Sequence, residues 1–228
     1  MDITRMFSDS YILYPFSNPN RMIGLGLLLC TSFLVIPAVL AGGYFLKIIE
    51  NTIKGNYELP SFEKWTKMFA DGLKVAAVIL FYFLPGLSLE FVMSLLLHSK
   101  YALILDGWFI LGLFVLTVIL YISAYILAIT AIPRMAYKNR LKAALDVKMV
   151  IMDIKDIGLK KYAFSLIGLS IMAIYLIVFA TYFLQLFTYI DNFLIGFVIG
   201  IFAVNLMVYS LLIASQGRLM GLIYLERT

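Results

Sequence analysis

Charge is scarce in this sequence. Of 228 residues, 14% are Asp, Glu, Lys or Arg and 63% are apolar. Soluble domains carry about 25% charged and about 45–50% apolar residues. A chain this short has too much surface to hide such an excess from water. The composition therefore excludes an ordinary water-soluble globule and points to lipid as the solvent. Cysteine is nearly absent too. Cys30 alone forms neither an internal disulfide nor a cysteine-rich zinc site, and it reads as a small buried hydrophobe. His98 is the only histidine, which excludes a paired-histidine metal motif. It falls at an expected membrane boundary. The sequence has no G-x-x-x-x-G-K-[ST] loop, and Gly24-Leu25-Gly26 opens an apolar run with no strand before it. No serine has an evident base beside it. These absences argue against an enzyme, against a metal or cofactor, and against a nucleic-acid partner.

What the sequence has is long apolar runs. About 20 such residues cross a bilayer as a helix. Five segments qualify: 22–46, 73–97, 108–132, 162–187 and 193–215. The first begins too late and runs too long for a cleaved signal. In the second, Pro85-Gly86 precedes Glu90. It reads either as one kinked helix or as a shorter helix with an interfacial stretch reaching 105. The expected fold class is all-α: a polytopic membrane bundle of about five transmembrane helices plus two cytoplasmic amphipathic helices. One membrane domain covers 1–228. It divides into an N-terminal interfacial segment (1–21), a helix–elbow–helix unit (22–97), a second such unit (108–187), and the last span with a short tail (188–228).

With five crossings, alternate loops collect fifteen of the 18 Lys and Arg on one side and three on the other. The positive-inside rule makes the richer side cytoplasmic. This predicts a multi-pass protein of the cell membrane with its N-terminus outside and its C-terminus inside. Tyr44, Tyr101, Trp108, Tyr137, Tyr162, Tyr189 and Tyr224 fall near span ends, as aromatic belts do.

The two basic loops carry helical periodicity. In the first, Phe62, Trp65, Met68 and Phe69 share a face after Leu59-Pro60-Ser61, and Gly72 is expected to end the helix. In the second, over 138–157, Leu141, Ala144, Leu145, Val147, Ile151 and Ile154 share a face, with Lys138, Lys142, Asp146, Asp153 and Asp156 opposite. Gly158 ends it. Gly72-Leu73-Lys74 recurs as Gly158-Leu159-Lys160, which reads as a parallel internal repeat. Such elbows either lie flat on anionic headgroups or pack on the span ends. Trp65, Phe69, Lys142 and Lys148 are the candidate elbow surface, and a protein partner there is the expected use beyond the lipid bilayer itself.

One string is distinctive: Gly43-Tyr44, Gly55, Glu58-Leu59-Pro60, Phe62, Trp65, Phe69 and Asp71-Gly72-Leu73. It resembles the hallmark of a membrane family known as domain of unknown function 4013. Tyr14-Pro15-Phe16 and Asn18-Pro19-Asn20 are similar to that family's lead-in, although Arg21-Met22 stands where a tryptophan is common. The resemblance implies a small multi-pass protein and carries no catalytic residues.

The remaining clues are polar residues inside apolar runs: Glu90, Gln185 and Asn205. A carboxyl in hydrocarbon is costly and defaults to a functional reading, whereas an asparagine more often holds helices together. Three functions follow as expectations. The first is a non-enzymatic scaffold or membrane-state-responsive interaction protein. The second is a transporter or export accessory for a small or lipophilic solute. The third is a lipid-binding protein.

Overall fold

A computed structural model describes residues 3–98, 106–190 and 192–227. Among them there is no strand, and the all-α membrane class holds. The ten α-helices are α1 (Ile3–Ser8), α2 (Pro19–Cys30), α3 (Val35–Ile53), α4 (Trp65–Leu97), α5 (Gly107–Lys138), α6 (Leu141–Leu145), α7 (Val147–Ile157), α8 (Leu159–Leu186), α9 (Phe193–Val204) and α10 (Ser210–Leu225). A π turn over Asn205–Tyr209 fuses α9 and α10 into one rod.

Among the described residues, four helices are long and apolar enough to cross a membrane: Trp65–Leu97, Gly107–Lys138, Leu159–Tyr189 and Phe193–Leu225. The predicted first span over 22–46 is not one of them. It is two helices with a turn between. Asn18 caps α2 by accepting from the Arg21 N–H at 3.2 Å, and Pro19 opens the helix. With 12 residues, α2 is about 18 Å long, short of a bilayer core of about 30 Å. The Thr31 hydroxyl then donates to Leu28 O at 3.0 Å, and the Leu34 N–H to Thr31 O at 3.0 Å. These local bonds satisfy part of the turn's backbone.

Neighbouring contacts show where the hairpin points. Gly26 of α2 lies against Leu206, and the Cys30 thiol reaches Phe202 O at 3.5 Å, so α2 runs antiparallel to the last rod. On α3, Phe45 and Ile48 meet Gly217, and Thr52 meets Gly221, so α3 runs parallel to that rod. The chain thus enters, turns beside the middle of the rod, and returns. It is a helical hairpin packed along the rod.

The start of the chain therefore packs at the same end as the first long loop and the end of α10. The Tyr14 hydroxyl reaches Glu58 O, the Leu59 N–H donates to Ser17 Oγ at 3.2 Å, and Arg218 pairs with Asp9 at 3.1 Å. The described start and end of the chain thus lie at one end of the structure, whereas five crossings would separate them. With Arg5 and Arg21 at that end, every Lys and Arg among the described residues belongs to it. Lys100 and Tyr101 lie outside the described residues, as does the outer part of the interfacial stretch considered up to 105. Up to His98, α4 is one helix that passes through Pro85 without stopping.

The first elbow also differs from expectation. Residues 54–64 are irregular, and α4 starts at Trp65 and continues through Gly72. That glycine is a contact, not a stop. A Cβ on Gly72 would sit 1.8 Å from Val39 O, and one on Gly43 would sit 1.8 Å from Met68 O. Small residues here let the backbones of α3 and α4 touch. Gly158 behaves as predicted. It adopts φ +92 between α7 and α8, a conformation that favours glycine. The two glycines of the supposed repeat therefore differ in role.

Candidate functional site

Where the chain leaves the apolar layer, α1, loop 54–64, α6, α7 and the ends of α3, α5 and α10 form a headpiece. Two buried arginines organise it. Arg134 lies within a run of buried residues on α5, donates from Nε to Ala143 O at 3.0 Å and pairs with Asp153 of α7. Both side chains are 8% exposed. The same carboxylate accepts from the Tyr224 hydroxyl at 3.1 Å and faces Arg227 at 3.5 Å. Two helices and the C-terminal tail thus share one carboxylate. The second arginine, Arg218, donates to Asn56 O at 2.9 Å, pairs with Asp9, and lies 5.0 Å from the rings of Tyr14 and Tyr57. It ties the N-terminal segment, the first loop and α10 together.

Loop 54–64 is seated on α3 by aromatic stacking. The rings of Tyr44 and Phe62 lie 4.3 Å apart, and the Tyr44 hydroxyl donates to Pro60 O at 2.8 Å. Beneath this loop is a recess of about 250 Å³ into which Lys47, Lys54, Lys64 and Lys67 face. Lys47 donates to Ser61 O at 2.6 Å. Burial pushes the Lys47 ammonium below its ordinary range, Glu63 draws it back, and Lys67 adds to the push. At the chain end, burial raises the Glu226 carboxyl, but Lys161 at 2.5 Å holds it below the usual carboxylate value.

On α7, Val150, Asp153, Ile154 and Ile157 face inward. Lys148, Ile151, Met152 and Lys155 face out. Asp153 was expected on the polar outer face and Ile151 on the inner one. The buried arginine reverses that phase, because it needs a carboxylate beside it. Of the elbow candidates, Lys142 and Lys148 are exposed, Trp65 is half-exposed and stacked on Phe62 at 6.0 Å, and Phe69 is partly buried. The inner surface packs on the span ends, as one of the two elbow readings has it.

The intramembrane candidates do not meet. Glu90 accepts from the Tyr121 hydroxyl between α4 and α5. Asn205 donates to Ile201 O of its own rod at 2.9 Å, where the π turn begins. Gln185 is exposed near the end of α8, and its backbone carbonyl accepts from Thr188 at 2.7 Å. No described recess is lined by two of these three residues.

A family model described as "Protein of unknown function (DUF4013)" matches residues 27–190, well over half of the chain. The chain belongs to this family. The match takes in the Gly43-to-Leu73 string, the α3–α4 contact and both elbows. In this DUF4013 chain the lead-in over 14–20 and the last rod, with Arg218 and Tyr224, fall outside the matched segment. No curated protein and no solved structure matches the chain. The Arg134–Asp153 pair lies within the matched part, yet sequence reasoning missed it. Arg134 was one of many loop cations there, and nothing in the spacing marked it as buried.

Proposed function

We propose that this DUF4013 protein is a non-enzymatic scaffold of the cell membrane, in which membrane spans hold a rigid headpiece whose outer face receives an acidic protein partner. One observation carries the reading. Every Lys and Arg among the described residues belongs to one end, and those on the outer surface of α6 and α7 are exposed beside apolar side chains. Lys142, Lys148 and Lys155 stand with Ile151 and Met152 on a surface whose opposite side is locked by Asp153. By the positive-inside rule the headpiece is cytoplasmic, with both termini on that side. The transport reading has less support, because Glu90, Gln185 and Asn205 line no shared path among the described residues.

Orientation is tested by single cysteines at the exposed Ser8, Lys142 and Thr188. An impermeant thiol reagent applied from the cytoplasmic side should label the first two, and one applied from outside only the third. Labelling of Ser8→Cys from outside would restore a fifth crossing and remove the hairpin. The docking face is tested by quantitative co-purification. The wild-type chain should hold a stoichiometric partner, and K142E/K148E/K155E should lose most of it while remaining monodisperse. A clean monomer without partners from native membranes would end the scaffold reading.

A further inference from the structure

The lysine recess under loop 54–64 is not used by the scaffold reading. Its cations outnumber the acids left to answer them. Glu50 stands 3.8 Å from Lys67, and Asp71 is held at 2.7 Å by Lys74, which faces it from one helical turn further along α4. Glu63 lines the recess, and its backbone carbonyl lies 3.5 Å from the Lys47 ammonium. Lys54 and Lys64 have no ion-pair partner among the described residues, and both are exposed at the rim. Crowded ammonium groups of this kind answer a ligand with several negative oxygens.

A second recess adjoins it. Gly43 and Asp71 line the lysine recess, and their neighbours Gly42 and Gly72 line an apolar groove of about 370 Å³ between α3 and α4. Val39, Val75, Ala76 and Ile79 wall that groove, and Phe33 of the hairpin turn borders it. The groove lies toward the turn, away from the lysines. A charged recess that passes to an apolar groove at the edge of the membrane layer has the polarity sequence of a phospholipid.

We propose that this pair of recesses binds one anionic phospholipid, its phosphodiester among Lys47, Lys54, Lys64 and Lys67 and an acyl chain along the groove between α3 and α4. The lipid comes from the leaflet that borders the headpiece. It bridges loop 54–64 to the hairpin and so bears on how the hairpin sits.

The test uses the full chain in nanodiscs of equal phosphatidylglycerol and phosphatidylcholine, with retained lipid read by native mass spectrometry. Wild type should retain phosphatidylglycerol in preference. At about 1 kcal/mol for each basic residue near anionic lipid, K54Q/K64Q should lower that preference about thirtyfold. Charge removal on the elbow, K142Q/K148Q, should leave it in place. Ala76 is exposed in the groove, so A76W should weaken lipid retention while the protein stays monodisperse. Equal retention of the two lipids overturns the proposal. So does a folded K54Q/K64Q that retains lipid as wild type does. Displacement of the lipid by inorganic phosphate, with A76W behaving as wild type, would make the recess a free-phosphate site and also overturn it. None of these results depends on whether a protein partner docks on α7.

Discussion

Gly43→Leu should abolish recovery of monodisperse protein, and Gly72→Leu should do the same. Each added Cβ would lie 1.8 Å from a backbone oxygen of the facing helix, Met68 O or Val39 O. No side-chain movement relieves a clash with backbone, so α3 and α4 must separate. That separation unseats loop 54–64, because the Tyr44 ring and hydroxyl hold the loop from α3. It also leaves α2 joined to a displaced partner. Overpacking of a well-filled core costs about 1–3 kcal/mol when side chains can yield. Here they cannot, and a larger loss is expected. Gly112→Ala is the control. A Cβ on that α5 glycine meets nothing, and alanine in a helix interior is favoured by up to about 1 kcal/mol. Size-exclusion profiles in detergent with thermal unfolding separate the cases. A Gly43→Leu protein that unfolds like wild type would show that the two backbones do not touch.

Asp153→Ala should be the most damaging change outside the α3–α4 contact. It leaves Arg134 buried without its carboxylate and removes the acceptor for Tyr224. Breaking a buried pair from one side costs about 3–5 kcal/mol, and the melting temperature should fall on the order of 10 °C. The physical claim lies in the rescue. Burying two charges is itself expensive, so Arg134→Met with Asp153→Leu should recover most of the loss. Arg227, 14% exposed, loses the same carboxylate but keeps the Tyr137 and Tyr224 rings at 4.4 and 4.3 Å. If the double variant is no better than Asp153→Ala, the pair contributes specificity of packing and not only mutual compensation. Protease sensitivity of α7 should follow the same order, since Asp153 is what holds that helix to α5.

Much of the fold was legible because lipid imposes simple length and polarity limits. The helices α4, α5, α8 and the last rod follow from apolar length alone. The elbow helix α7 follows instead from its amphipathic periodicity, and its end is fixed by Gly158. The hairpin was not read, although the signal is present. Thr31-Ser32 interrupts the apolar run, and Pro37 falls in the first turn of α3, where a missing N–H costs least. Hydropathy averages over these residues and sees one span. Gly72 was misread because glycine ends helices and also lets them touch, and sequence alone does not choose between the two. The headpiece was least legible. Its arginines are buried by tertiary contacts from residues as far apart as Asp9 and Arg218, and a composition count places every cation in solvent.

The α2–α3 hairpin also bears on how the chain reaches its membrane. In the proposed topology of four crossings, residues 3–64 stay on the side where the ribosome works. In the proposed orientation, insertion reduces to two helical pairs, α4 with α5 and α8 with the last rod. The sequence joining the two helices of each pair, 98–106 and 187–192, holds one cation, Lys100. The hairpin itself can slide in afterwards from the near side, guided by a partly finished bundle and moving no charge through hydrocarbon.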